Sequence, residues 1–343
     1  MRGLIDWHAH MLSSSSARPA GASDYPHVRP APGQPAELEM WAGERRYRTI
    51  RPPAVDWRAR ITEMDRMGVA RQVLSAPPLL QAYSNAPEHV AELARDSNAH
   101  LIDVCRQAPD RFAMLGMLPL GDPRATDAEL ERLHGDESCV GVSLPAYTYD
   151  RVIADRERTQ AWRGIADLGV VLVHPADTAL CEADRSIGAV FGAAMVITTA
   201  RTAVHMITSG LLDRVPDLQV LLAHAGGCFP SLLGRLEYGF SALGRNGNLL
   251  ASPKAQVRRS FWADSVAYDD LTVQHAADVF GHDRIVYGSD YPFDAVVTPR
   301  DLDLRGGERS VPWLDTVRGN GEALWSQVRR ARKPPTGCLP ASG

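Results

Sequence analysis

Gly3-Leu4-Ile5-Asp6-Trp7-His8-Ala9-His10 is the stretch on which the reading of the whole chain turns. Leu4 and Ile5 read as the end of a buried strand. His8 and His10 follow two residues apart, and in extended backbone residues i and i+2 face the same way. Both imidazoles then reach one point at the strand's C-terminal end. Two convergent imidazoles suit a borderline-soft divalent metal such as zinc. The pair alone equally fits two surface histidines after a strand, so its meaning depends on what else arrives at the same place.

Outward from this stretch, short apolar runs recur at 70–75, 112–118, 139–144, 170–173, 218–223, 261–264 and 284–287. Between them lie segments of helical periodicity at 57–67, 87–106, 127–133, 156–168, 202–212, 231–238 and 269–279. Eight strands alternating with helices imply parallel pairing with crossover helices. The expected fold is therefore α/β, a (β/α)8 TIM barrel whose active site lies at the C-terminal ends of the strands. An open doubly wound sheet is the other arrangement of such units. Against a dinucleotide-binding version of it, no Gly-x-Gly-x-x-Gly turn follows the first strand.

One domain is expected over residues 1–332, with 11–55 as a long insertion after the first strand. That insertion holds a serine run from Ser13 to Ser16 and prolines at 19, 26, 30, 32, 35, 52 and 53. It reads as an irregular lid, with Trp41, Tyr47 and Arg51 giving it the aromatic and cationic content of a substrate cover. The Pro- and Gly-containing tail, 333–343, is expected to be disordered.

Three more polar residues, His174, His224 and Asp290, stand immediately after predicted strands. With His8 and His10 they belong to strands one, five, six and eight, whose ends encircle one mouth in a closed barrel. Three neutral imidazoles and a carboxylate hold zinc and leave one position for water. The metal lowers the pKa of that water toward neutrality. One histidine is then left to exchange a proton near working pH. His224 is the candidate, because it enters a Gly226-Gly227 turn that would let a substrate approach closely; the competing role for it is a fourth nitrogen ligand. The fourth strand ends in Ser143-Leu144-Pro145, with no carboxylate or lysine to bridge a second metal, so a mononuclear site is expected. Only Lys254 and Lys333 are lysines among 37 basic residues, and neither lies at a strand end. Arg51 and Arg235 are candidates for holding a carboxylate, although any one of so many arginines is ordinarily a solvated surface charge.

A net charge of −4 offers no basic excess for nucleic acid. Five scattered cysteines, none in a Cys-x-x-Cys pair, suggest neither a disulfide framework nor a thiolate zinc site. No apolar run reads as a membrane span and no signal peptide is read at the start, so a cytoplasmic protein is expected.

Ile5-Asp6-Trp7-His8-Ala9-His10, Leu172-Val173-His174-Pro175, His224-Ala225-Gly226-Gly227 and Gly288-Ser289-Asp290-Tyr291-Pro292-Phe293 together resemble the amidohydrolase-related family. Within it the likeness is to the α-amino-β-carboxymuconate-ε-semialdehyde decarboxylases. It extends over about residues 3 to 325 and includes Glu63-Met64-Asp65, Leu233-Gly234-Arg235, Asp264-Ser265 and Gly319-Asn320. The resemblance implies a zinc (manganese and cobalt suit the same donors) held by His8, His10, His174 and Asp290, with His224 as acid/base and no organic cofactor. It implies that Arg51-Pro52 binds substrate and that Arg235 reaches a neighbour's site across a homodimer. It also implies a decarboxylase of an aromatic or unsaturated, muconate-semialdehyde-like acid; a hydrolase or hydratase of a related ring-cleavage product or lactone is the alternative at the same site. Residues 185–192, Arg-Ser-Ile-Gly-Ala-Val-Phe-Gly, replace a tryptophan-bearing segment of those decarboxylases and suggest a differently shaped substrate.

Overall fold

Eight Val-, Leu- and Ala-rich runs pair in parallel in the order of the chain: β1 (Leu4–His10), β5 (Val69–Ser75), β6 (Phe112–Gly116), β7 (Cys139–Ala146), β8 (Val170–Pro175), β9 (Gln219–Leu222), β10 (Phe261–Asp264) and β11 (Ile285–Val286). The computed structural model describes residues 3–13, 26–32, 34–77, 87–146, 155–175, 187–243, 249–293 and 312–332. The last strand returns to the first: the Trp7 amide donates to the Tyr287 carbonyl at 2.9 Å, and the Asp290 amide to the His8 carbonyl at 2.8 Å. These bonds close the (β/α)8 barrel that the alternation predicts.

The helices are α1 (Trp57–Met67), α2 (Pro87–Gln107), α3 (Pro123–His134), α4 (Thr159–Leu168), α5 (Met195–Thr208), α6 (Leu211–Arg214), α7 (Phe229–Ser241), α8 (Pro253–Ser260), α9 (Asp270–Phe280) and α10 (Pro312–Ala331). Local chemistry sets their ends. The Asp56 carboxylate caps α1 by accepting from the Arg58 and Ala59 amides, and Gly68 stops it in the left-handed region at φ 72°. Outward-facing strand residues such as Val142, Val171 and Val220 pack under the helices in one large core. Inward-facing ones, Ile5, Trp7, Val73, Leu115, Val140, Leu172, Leu221 and Trp262, fill the barrel itself.

Two parts of the fold differ from the sequence reading. The insertion is not irregular: β2 (Pro26–Ala31), β3 (Gln34–Ala42) and β4 (Arg45–Ile50) form an antiparallel sheet. Its prolines obscure the pattern, yet Pro26 and Pro30 lie on β2, an edge strand, where a missing N–H is tolerated. Gly43-Glu44 makes the tight turn into β4, with Gly43 at φ 58°. Met40 and Ile50 of this sheet bury against Leu12, Ala54 and Ala76, which ties it to the barrel. The second difference is α10, which sequence periodicity did not pick out. Its Leu324 and Val328 join the barrel-interior cluster, and the Trp7 indole donates to the Gly321 carbonyl at 3.3 Å. The expected disordered tail, 333–343, lies outside the described residues, as do 14–25 and 33 of the insertion.

The helical stretch Val190–Thr208 is long and apolar enough to cross a membrane, which corrects the expectation that no run approaches a span. Half of that window is buried within the fold, where Ala200, Ala203, Met206 and Ile207 pack on the barrel core.

Candidate metal centre

The geometry starts in β1. Strict alternation would place His8 on the face opposite Trp7. The pairing of β1 with β5 slips between Asp6 and Ala9. This irregularity changes the parity, so His8 and His10 face the barrel mouth above Ile5 and Trp7. Both lie inside the strand, which runs through His10 rather than ending at Ile5. His174 arrives from the end of β8, His224 from the turn after β9, and Asp290 from beyond β11.

The side chains converge. His8 Nε2 is 3.1 Å from His10 Nε2. Asp290 Oδ1 lies 3.0 Å from His10 Nε2, 3.3 Å from His8 Nε2 and 3.9 Å from His174 Nε2. These four donor atoms lie within 4.8 Å of one another, and all four residues are buried. His224 stands beside this group, its Nε2 3.6 Å from the other carboxylate oxygen, Oδ2.

The far nitrogen of each of the three imidazoles is occupied. His8 Nδ1 donates to Asp264 Oδ2 at 2.6 Å. His10 Nδ1 lies 2.9 Å from the Ser75 hydroxyl, which itself donates to the Ala9 carbonyl and so accepts from the ring. His174 Nδ1 donates to the Pro175 carbonyl at 2.8 Å. All three rings are thus held in the tautomer that turns a lone pair on Nε2 inward, the arrangement metal-binding histidines use. A proton on His8 satisfies the close His8–His10 contact. It leaves the buried His174 Nε2 with no hydrogen-bond partner. A cation among the four donors satisfies every one of them. The donor set therefore fits a divalent metal.

Electrostatics point the same way. Burial opposes charging His8, but Asp290 and Asp264 outweigh it and hold the imidazole up at about 10. Burial drives His174 down to about 3. Asp290 is buried too, yet the surrounding imidazoles, His8 first, keep its carboxyl well below the usual range. His224, Ala225 and Asp290 all have positive φ, at 57°, 54° and 55°. Such strain costs about 1–3 kcal/mol per residue and gathers at functional sites. It is braced by Asp264 Oδ1, which accepts from the Ala225 and Val266 amides at 3.0 Å each.

A pocket of about 240 Å³ opens on the His224 side, lined mainly by Phe191, Met195, Val196, Val266 and Tyr268. Phe191 lies in a π-helical turn, Val190–Ala194, and Met195 follows it at the start of α5; such turns are frequent at functional sites. Gly227 lines this pocket beside His224, and both glycines after His224 also meet a packing demand. A Cβ on Gly226 would meet the Phe280 ring at 2.8 Å, and one on Gly227 would meet the Val196 carbonyl at 2.3 Å. They let the turn pack against its own protein. Gly227→Ala, at φ 59°, is expected to destabilise the fold by about 2 kcal/mol or more. A thermal melt would show it as a lowered Tm.

Comparison with known proteins agrees with this geometry. A family model described as Amidohydrolase matches residues 5–306. The chain belongs to the amidohydrolase family. A 2-amino-3-carboxymuconate-6-semialdehyde decarboxylase from Dictyostelium discoideum is 28% identical over 253 residues, 72% of this chain and 69% of its own length. The 5-carboxyvanillate decarboxylase of Sphingomonas paucimobilis superposes with a TM-score of 0.67 at 26% identity, over 79% of this chain and 82% of that one. A dihydroxybenzoic acid decarboxylase from Polaromonas, solved with manganese and 2-nitroresorcinol, has a TM-score of 0.71 at 21% identity, covering 95% and 97%. The expectation of a carboxy-lyase-type enzyme is met, since the relatives and neighbours are decarboxylases.

In this member of the amidohydrolase family the two arginines expected at the site are not in contact with the cluster. Arg51 follows β4, its side chain 56% exposed, 3.7 Å from Glu63 and above the Tyr291 ring at 5.9 Å. Arg235 lies exposed on α7. Trp41 faces away from the site, with Arg29 stacked on it at 3.5 Å and its indole N–H on Glu39. Tyr47 packs into the small core of the insertion.

Sequence reasoning placed Asp264 only among the stretches that carry the resemblance and gave it no role, although it ends the apolar run Phe261-Trp262-Ala263 at the mouth. It also missed Ser75, at the end of β5. Beneath them lies a buried chain of polar groups: Arg60 reaches the His10 carbonyl at 2.7 Å and Gln72 at 3.2 Å, Gln72 donates to Asp6, and Asp6 accepts from the Ser289 hydroxyl at 2.6 Å. It joins β1, β5 and the Asp290 loop below the cluster.

Proposed function

We propose that this chain is a zinc-dependent decarboxylase of an aromatic or unsaturated, muconate-semialdehyde-like carboxylic acid, working without an organic cofactor. The observation that carries the reading is the convergence of three inward-turned Nε2 atoms and Asp290 Oδ1 at the barrel mouth, with His224 on the other Asp290 oxygen beside an apolar pocket. His8, His10, His174 and Asp290 would hold the metal. A bound divalent ion supplies Lewis-acid stabilisation of charge developing on a substrate oxygen and lowers the pKa of water. Manganese, bound by the Polaromonas neighbour, suits the same donors.

The chain's own groups do the rest. The apolar lining around Phe191 and Tyr268 takes the body of the substrate and keeps water from it. The C–C bond to the carboxylate breaks, CO2 leaves, and the electron pair stays on the substrate carbon. The His224 imidazole delivers a proton to that carbon and regains one from solvent. Asp290 Oδ2 orients His224, which gives this carboxylate a part in catalysis beside the ligation it would provide. Arg51, itself exposed, exchanges its half-buried partner Glu63 for a substrate carboxylate, a small cost for a pair as loose as 3.7 Å, since such pairs are worth about 0–1 kcal/mol.

Arg235 reaches the site of a second copy in a homodimer. Exposed Leu232 and Tyr238 stand three residues before and after it on α7, and exposed Ile197 lies on α5, which packs against α7. No nucleic acid or membrane partner is part of the reading, and the cytoplasm is its compartment.

The test is mass spectrometry on zinc-loaded protein with hydroxylated and amino-substituted aromatic acids and ring-opened muconate semialdehydes. A product lighter by CO2 is expected. Addition of water without loss of CO2 would overturn the decarboxylase reading in favour of a hydrolase or hydratase at the same site.

A further inference from the structure

We infer that Arg48, carried over the barrel mouth by the inserted sheet, is a specificity-determining residue that binds a carboxylate of the substrate in cis. The inference rests on the decarboxylase reading and deepens it. Its ground is the position of the guanidinium. Arg48 Cζ lies 4.6 Å from the centre of the Phe293 ring, and that ring lies 5.5 Å from the His10 imidazole. A single aromatic ring thus separates a half-buried cation from the metal centre. Arg48 is also close enough to Tyr268, which lines the pocket, for its charge to act on the phenol.

Of the other arginines of this strand and its end, Arg45 is exposed at the turn with the Tyr47 ring at 5.9 Å, and two have carboxylate partners. Arg46 is paired with Glu39 at 2.7 Å and donates to Thr49, and Arg51 is paired with Glu63. Among the described residues Arg48 has no carboxylate partner; it has only the faces of Phe293 and Tyr47, the latter at 5.2 Å. Stacking holds a guanidinium's orientation while leaving its in-plane N–H donors free, so little freedom is lost when a carboxylate arrives. β4 is anchored by Ile50 in the insertion's core, which sets where the guanidinium sits. The insertion therefore does more than cover the site: it contributes a charged group one aromatic ring away from the histidine cluster.

The experiment uses the full, zinc-loaded chain. Binding of 2,6-dihydroxybenzoate and of 5-carboxyvanillate is measured by calorimetry, and the acid that binds wild type more tightly is carried into Arg48→Gln, Arg48→Lys and Arg51→Gln. Metal content is measured on each protein. Arg48→Gln is expected to weaken binding about tenfold to a hundredfold, the range of a charge-assisted pair, with metal content unchanged. Arg48→Lys should recover part of the loss, because it restores charge without the planar fork. Unchanged affinity in Arg48→Gln, or loss of metal along with affinity, would overturn the role of Arg48 and leave the decarboxylase reading standing. Failure of metal-loaded wild type to bind either acid would overturn both.

Discussion

His224→Ala is expected to lower the decarboxylation rate by about a hundredfold to ten-thousandfold, the usual worth of a positioned general acid, and to leave the bound metal in place. The expectation follows from where the ring stands. His224 faces Asp290 Oδ2, outside the group formed by His8, His10, His174 and Asp290 Oδ1. Removing it subtracts no member of that group. His8→Ala subtracts one and also strands the buried Asp264 carboxylate, so it should abolish metal binding and activity together. Because His224 sits at φ 57°, His224→Asn is the companion variant; asparagine tolerates left-handed backbone better than alanine. Kinetics with metal analysis separates the two roles. A metal content in His224→Ala as low as in His8→Ala would make His224 a ligand and remove it as the proton donor.

The second large effect belongs to a residue that touches neither substrate nor metal. Asp264→Asn is expected to weaken metal affinity about tenfold to a hundredfold. Asp264 Oδ2 accepts the His8 Nδ1 proton at 2.6 Å, fixing the ring with its Nε2 lone pair inward. An asparagine can keep the Ala225 and Val266 amides on its one oxygen. Its NH2 then meets His8 Nδ1–H, and two donors face each other. The ring must turn or change tautomer, and either change spoils the inward lone pair. Asp264→Ala should add a stability loss, because two buried amides and an imidazole N–H lose their acceptor at about 1–3 kcal/mol each. Metal titration of refolded Asp264→Asn checks the first claim and a thermal melt of Asp264→Ala the second. Wild-type metal affinity in Asp264→Asn would mean that His8 needs no help in choosing its tautomer.

The legible residues share one local signature. His174 and His224 each stop a short apolar run and Asp290 follows one by a Gly-Ser step, which puts all three at the C-terminal ends of buried parallel strands, where the mouth lies. Asp264 bears the same signature and was within reach of the same rule. Ser75 was not, since serine at a strand end is ordinary and its value lies in accepting from one particular ring. The inserted sheet was hidden by Pro26 and Pro30, which lower strand propensity without forbidding an edge strand. Gly226 and Gly227 were read as room for a substrate, and Gly227 does line the pocket, but the packing of Phe280 and Val196, distant in sequence, against this turn was not legible.

The order of short apolar runs and intervening helices determined the barrel, because eight such units have few other ways to bury their surface. It also determined which polar residues would meet at the mouth. What only the tertiary structure decided is the orientation of each of them. The slip between β1 and β5 turns His8 inward, Asp264 and Ser75 select the tautomers of His8 and His10, and a left-handed backbone brings Asp290 Oδ1 to the metal group and Oδ2 to His224. Strand order follows from a local pattern of hydrophobicity. Ring orientation depends on contacts between residues far apart in the chain, such as His8 and Asp264, that come together only once the barrel has closed.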